Sequence, residues 1–284
     1  MKRAALCVLP LSLLFAGAAL AQETAPAGPA PSPASTKVSA TDTSNSSPQA
    51  ANAAMTPRQV AEMRGDIQMA RKEYADAVRT YVKVLEGASK DAVLLNKIGV
   101  AYQQLGDLNH AARFYKQSAK EDKRYASAIN NLGTVEYGKK HFGKAINLYK
   151  KALPIGTDQG TIYCNLGYAY FANKEYPQAM DSFGKALAID NHIFERKSGA
   201  GSIVQQRSTT DPGLFYFLVA KSYAVAGDVE EAARYLKIAR DDGYVNFMSA
   251  QTDPAFAKIV KDPRIQEVLQ LPPSYADGKK PASD

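Results

Sequence analysis

Four glycines, Gly65, Gly99, Gly133 and Gly167, follow one another at intervals of 34 residues in this 284-residue chain. Twelve residues after each stands an alanine (Ala77, Ala111, Ala145, Ala179). Four further on comes an aromatic (Tyr81, Tyr115, Tyr149, Phe183), and three beyond that a small or apolar residue (Val84, Ser118, Ala152, Ala186). Such a period restricts the chain to a stacked array, because each unit is one supersecondary piece that cannot bury its apolar face alone. Apolar residues recur at helical spacing on both sides of a short polar break such as Gly106-Asp107, so each unit reads as two helices, A and B. Glycine and alanine are expected where the two helices cross. The aromatic is expected to fill the space between one helix pair and the next.

The run Asn165-Leu166-Gly167-x-x-Tyr170 followed by Ala179-x-x-x-Phe183-x-x-Ala186, and the run Ile98-Gly99-x-x-Tyr102 with Gly106, resemble the tetratricopeptide-repeat (TPR) family. The resemblance implies an all-α fold, a right-handed α-solenoid of about five helix-turn-helix units with C-terminal capping helices. The units fall at 58–91, 92–125, 126–159, 160–193 and 213–246, within an array spanning 57–246. In the fifth, Ala220 takes the glycine position, followed by Tyr223, Gly227-Asp228, Ala232, Leu236 and Ala239, with Asp228 and Glu231 spaced as a capping box. Unit 1 departs from the pattern: Arg64 and Gln68 occupy usually apolar or aromatic positions, as suits an end repeat with one solvated face.

Outside the array the composition changes. Residues 1–21 begin with Lys2 and Arg3, run uncharged from 4 to 20 and end in Ala19-Leu20-Ala21, the pattern of a cleaved signal peptide. The competing reading is a membrane anchor, for which seventeen residues broken by Pro10 and Gly17 are slightly short. Cleavage would export the protein to the periplasm or medium, leave Cys164 as its only thiol, and leave no transmembrane span. Residues 22–56 contain 25 Ala, Pro, Ser or Thr among 35 and no aromatic, too little apolar surface to offset an ordering cost of roughly 1 to 2 kcal/mol per residue. They read as a disordered spacer. Units 4 and 5 are out of register by 19 residues, which places an insertion at about 192–212; it is either a functional loop or a passive excursion. Asp253-Pro254 and Asp262-Pro263 each predict an N-cap with proline at N1, so 247–271 reads as short helices covering the last repeat, with a flexible tail at 272–284.

Chemistry finds little support. The formal charge of +7 falls to +5 without residues 1–21, since Lys2 and Arg3 account for the difference, too dilute for nucleic-acid binding. His110, His141 and His192 share no metal-ligand spacing, and no carboxylate pair stands out, so no catalytic residue, metal or cofactor is nominated. Recognition is the better expectation. By the family's pattern, helix A residues line a concave surface that holds peptides, and the matching positions here are Asn96, Lys97, Asn130, Asn131, Tyr137, Cys164, Asn165, Tyr168 and Phe171. Asn131 and Asn165 precede Leu-Gly as a two-rung amide ladder suited to a peptide main chain. The expected function is a non-enzymatic, exported module binding a protein or peptide segment. The alternative is a scaffold for a cell-envelope machine, in outer-membrane biogenesis or pilus or secretion assembly. A hydrolase would require a carboxylate pair facing a cleft.

Overall fold

The computed structural model describes residues 55–87, 90–195 and 211–270. The expected signal peptide, nearly all of the spacer, residues 196–210 of the insertion and the tail lie outside them. Among the described residues there are eleven α-helices and no strand. They pair as α1 (Pro57–Ala70) with α2 (Tyr74–Glu86), α3 (Ala92–Gln104) with α4 (Leu108–Glu121), and α5 (Ala126–Gly138) with α6 (Phe142–Ala152). Two further pairs follow, α7 (Gln159–Ala172) with α8 (Tyr176–Ile189) and α9 (Pro212–Ala226) with α10 (Val229–Asp241). Each helix packs on its predecessor and successor, and α3, α5 and α7 also touch one another directly. That direct contact puts the A helices on the inner side of the stack.

The break between A and B has one geometry throughout. The residue before each B-helix cap sits in the left-handed region: Lys72 (φ 64°), Gly106 (79°), Lys140 (62°), Lys174 (65°) and Gly227 (83°). The next residue's N–H then reaches back five residues, as Asp107 N to Tyr102 O (3.0 Å) and His141 N to Glu136 O (2.9 Å) do. This closure satisfies carbonyls that the helix end would otherwise orphan. Units 2 and 5 have the favourable chemistry, glycine in the left-handed position and an aspartate whose side chain caps helix B. Asp107 accepts from His110 N, and Asp228 accepts from Glu231 N. The capping box expected at Asp228 is present only in that half. Units 1, 3 and 4 place a lysine there, and Glu73, His141 and Glu175 cap nothing with their side chains.

The periodic glycines do something other than separate crossing backbones. A Cβ on Gly65, Gly99, Gly133 or Gly167 would lie 2.3, 2.6, 2.6 and 2.4 Å from the ring of Tyr81, Tyr115, Tyr149 and Phe183, respectively. The aromatic therefore lies over the glycine of its own unit, not between units as its spacing had suggested. All four rings are at most 1% exposed. Alanines 77, 111, 145 and 179 are fully buried, as helix-contact positions require.

The two ends differ. In unit 1, Val60 and Ile67 are over two-fifths exposed, whereas their counterparts one period on, Leu94 and Ala101, are buried. At the other end, Arg240 is buried and donates to Val268 O (3.2 Å), which pins α11 (Pro263–Gln270) onto α10. Phe256, Ile265, Val268 and Leu269 complete that cover. The first expected capping helix is instead a pair of 3-10 turns, Phe247–Gln251 and Pro254–Phe256. The insertion also starts later than its spacing indicates, because Ile193 and Phe194 are buried, the latter against Phe183, Tyr223 and Tyr235.

Candidate functional site

The inner face carries a run of asparagine amides that links three units. Each repeat contributes two positions, three and two residues before its glycine. Asn165 donates from Nδ2 to Asn130 Oδ1 (3.1 Å), Asn130 to Asn131 Oδ1 (3.4 Å), and Asn131 to Asn96 Oδ1 (3.0 Å). The rung is thus diagonal: the second position of one unit meets the first position of the unit before. All four residues are buried. An amide chain so satisfied stabilises the stack, because each buried polar group finds its partner in a neighbouring repeat.

Where this chain surfaces, at Asn96, there is a cavity of about 330 Å³ lined by Asn96, Asn130 and Asn131. The remaining wall comes from the segments before α5 and α7 and the first turns of those helices, polar at Arg124, Tyr125, Ser127, Thr157, Asp158 and Thr161 and apolar at Ala126, Ile155 and Ile162, with Val100 of α3. Asp158 is the N-cap of α7 and accepts from Thr161 N (3.2 Å) and Thr161 Oγ1 (2.7 Å). Tyr125 is half-buried; its hydroxyl lies within reach of Ser127 and Asn96, and burial, the larger effect, raises its pKa above the usual phenol range. Helix α5 begins at Tyr125 without a side-chain cap. The pocket is therefore mixed in character, walled by side chains from three A helices and two inter-unit loops.

Of the nine lining positions inferred from the sequence, the structure brings three to this pocket: Asn96, Asn130 and Asn131. Lys97 lies nearby, but its ammonium is held by both oxygens of Asp66 (2.8 and 2.9 Å) in unit 1. Asn165 is wholly enclosed and serves the amide chain. Tyr137, Tyr168 and Phe171, expected as ligand contacts, belong instead to the packed interior. Tyr168 stacks on Phe215 of α9 (centroids 5.2 Å apart), Phe171 meets the same ring edge-on, and Tyr137 rests on Phe142. Burial pushes the Tyr137 hydroxyl up to about 12. For Tyr168 and Phe171 the reason is Phe215, which packs on both from α9 of unit 5. Cys164 is fully buried, and burial pushes its thiol far above the usual range, which leaves it unreactive.

Sequence reasoning missed Arg124, Tyr125, Ser127, Thr157 and Thr161, because it took lining residues only from motif positions on helix A. The signal was the break in the caps. Helices α1, α3, α7 and α9 start at Thr56, Asp91, Asp158 and Asp211, each accepting from the first turn, and α5 alone starts at a tyrosine. Among the described residues no group of three or more His, Cys, Asp or Glu could hold a metal ion, and no helix is long and apolar enough to cross a membrane.

Two family models, both described as tetratricopeptide repeat, match residues 92–125 and 161–192. No curated protein matches the chain. Among solved structures it is similar to pilF of Pseudomonas aeruginosa (18% identity, 75% of this chain and 86% of that one, TM-score 0.50). It is also similar to a MamA structure (24% identity, 63% and 94%, TM-score 0.45). A third is MamA from Desulfovibrio magneticus RS-1 (16% identity, 66% and 95%, TM-score 0.48). At these identities the likeness concerns the fold. With two units matched by the family and five helix pairs closed by one recurrent turn, the chain is a tetratricopeptide-repeat protein, a protein–protein interaction module.

Proposed function

We propose that the array holds a segment of a partner protein along its inner face, seated at the pocket between α3, α5 and α7. One observation carries the reading: the amide chain that runs from Asn165 through Asn130 and Asn131 to Asn96 reaches a pocket of about 330 Å³ lined by the last three of these residues. A side chain of an extended segment fits such a volume, while its main chain runs past over the A helices on either side. The flanking Lys97–Asp66 pair fixes unit 1 against unit 2 and keeps that part of the face in place. The charged-then-apolar opening of the sequence, residues 1–21, supports export, so the partner is sought outside the cytoplasm.

Filling the pocket tests the reading without touching the amide chain. Ser127 is exposed on the first turn of α5. Ser127→Trp is expected to abolish partner capture from an envelope extract while the far-ultraviolet circular dichroism and melting midpoint stay unchanged. Capture at unaltered affinity by this variant would remove the pocket from the function.

A further inference from the structure

The outer side of unit 1 is a stacking surface with no helix of the described residues against it. In front of unit 2 that place is taken by α2, and there Leu94, Ile98, Ala101 and Phe114 are buried in one cluster with its Val78. One period earlier the same positions are Val60, Arg64, Ile67 and Thr80. Val60, Met63 and Ile67, spaced to share one side of α1, are each more than two-fifths exposed. Beside them α1 and α2 border a groove of about 490 Å³, apolar at Ala61 and Val84 and cationic at Arg58, Arg64 and Lys83. Arg58 is held by Glu62 (2.8 Å) and by Asp91. Arg64 and Lys83 are exposed and make no ion pair among the described residues. The acids of the two helices are taken or lie elsewhere: Asp66 binds Lys97 (2.8 Å), Asp76 binds Arg79, and Glu86 lines a neighbouring pocket with Lys90. An end face built only to meet water would be polar throughout; this one keeps three large apolar side chains and sets two unpaired cations beside them.

We propose that this face takes an acidic amphipathic helix of a partner protein, laid against unit 1 as α2 is laid against unit 2. The apolar stripe of that helix covers Val60, Met63 and Ile67, and carboxylates flanking the stripe pair with Arg64 and Lys83. Continuity with the stack selects a helix, because the same positions in unit 2 are buried by one. Charge selects an acidic one. A second copy meeting this face about a two-fold axis would bring Arg64 and Lys83 toward their own duplicates, an unfavourable juxtaposition. A bilayer surface is flat and leaves the groove over Ala61 and Val84 unfilled. The face shares no residue with the inner-face pocket, so the two readings stand or fall separately.

The test uses the full chain, labelled with nitrogen-15, and two synthetic helices of the length of α2, capped at both ends. Both carry leucine along one face, flanked by glutamate in one peptide and by lysine in the other. The glutamate helix is expected to shift the backbone amides of Val60, Arg64, Ile67 and Lys83 and to leave that of Ser127 unmoved. It is expected to bind about tenfold more tightly than the lysine helix at low salt, since two exposed ion pairs replace two like-charge contacts. The gap should narrow as salt is added. Arg64→Glu combined with Lys83→Glu, at two exposed positions, should reverse the order of the two peptides. Equal binding of the two helices, no shift at α1 with either, or an order that the double variant leaves unchanged would each overturn the proposal. So would concentration-dependent shifts at α1 without peptide, which assign the face to a second copy. Binding to phosphatidylglycerol vesicles that the double variant abolishes, with neither peptide bound, would assign it to a membrane.

Discussion

Replacing Gly133 by alanine sets two effects of known size against each other. Gly133 sits inside α5, where glycine costs about 1 kcal/mol relative to alanine, so on propensity alone the substitution stabilises. The new Cβ, however, would stand 2.6 Å from Cε1, 2.9 Å from Cδ1 and 3.1 Å from Cζ of Tyr149. Carbon atoms in contact lie about 3.5 to 4.0 Å apart, so the ring must retreat by nearly 1 Å. It has no room to do so: Tyr149 is fully buried and its hydroxyl donates to Thr134 Oγ1 (3.2 Å). Overpacking of this kind costs about 1 to 3 kcal/mol, which offsets the propensity gain and leaves a net loss of up to about 2 kcal/mol. Gly184, within α8, has nothing within 4 Å of its Cβ position, so Gly184→Ala keeps the gain of about 1 kcal/mol. At about 2 to 4 °C per kcal/mol for a chain this size, thermal melting followed by circular dichroism should move down for Gly133→Ala and up for Gly184→Ala. Combining Gly133→Ala with Tyr149→Leu should recover part of the loss, because the two positions share one contact. If Gly133→Ala stabilises as much as Gly184→Ala, the ring does not rest on the glycine and the packing argument fails.

Two further consequences follow from the same geometry. Lys140 holds a left-handed backbone (φ 62°) that costs a side-chain-bearing residue about 1 to 2 kcal/mol; Lys140→Gly is expected to raise stability by about 0.5 to 1 kcal/mol, read as a higher urea midpoint at unchanged slope. Alkali should act in the opposite sense. Burial raises the hydroxyl pKa of Tyr137 and Tyr235 to about 12, and that of Tyr149 further, against an unfolded value near 10. Above pH 10 the unfolded chain binds fewer protons than the folded one, so stability is intact below pH 10 and falls by about 1.4 kcal/mol per pH unit for each such tyrosine. Helical signal should therefore vanish between about pH 10 and 12 together with the last part of the rise in tyrosinate absorbance; ionisation of all 16 tyrosines by about pH 11 with the helices intact would contradict the burial.

Much of the fold is legible in the residues because repetition multiplies a weak signal. One glycine means little, but Gly65, Gly99, Gly133 and Gly167 at one spacing, each with its alanine and aromatic, define the unit. What a period cannot show is which neighbour a side chain meets. The aromatic sixteen residues after each glycine could lie inside its unit or beyond it, and only the structure places it inside. The left-handed turns of units 1, 3 and 4 are hidden for a related reason: lysine gives no hint of positive φ, and the unit-wide turn geometry imposes it on Lys72, Lys140 and Lys174.

The site divides in the same way. Asn96, Asn130 and Asn131 were readable from motif position, but their diagonal pairing depends on how units stack. Tyr168 and Phe171 misled because the positions one and four residues after the glycine face the groove only where the next unit leaves them open. In unit 4, Phe215 arrives from α9 and closes it. That arrival is a long-range event, separated from Tyr168 by the insertion. Arg124 and Ser127 were missed because they belong to the joint between units, which a motif written for one unit does not describe.

The central claim is that a partner segment lies at the pocket between α3, α5 and α7. A photo-reactive phenylalanine analogue placed at Ser127, with a control at the exposed Lys151 on helix B of unit 3, tests it in the intact cell envelope. The account predicts a discrete crosslinked adduct from Ser127 and none from Lys151. An adduct from Lys151 with none from Ser127 would place the interaction on the outer face and contradict it.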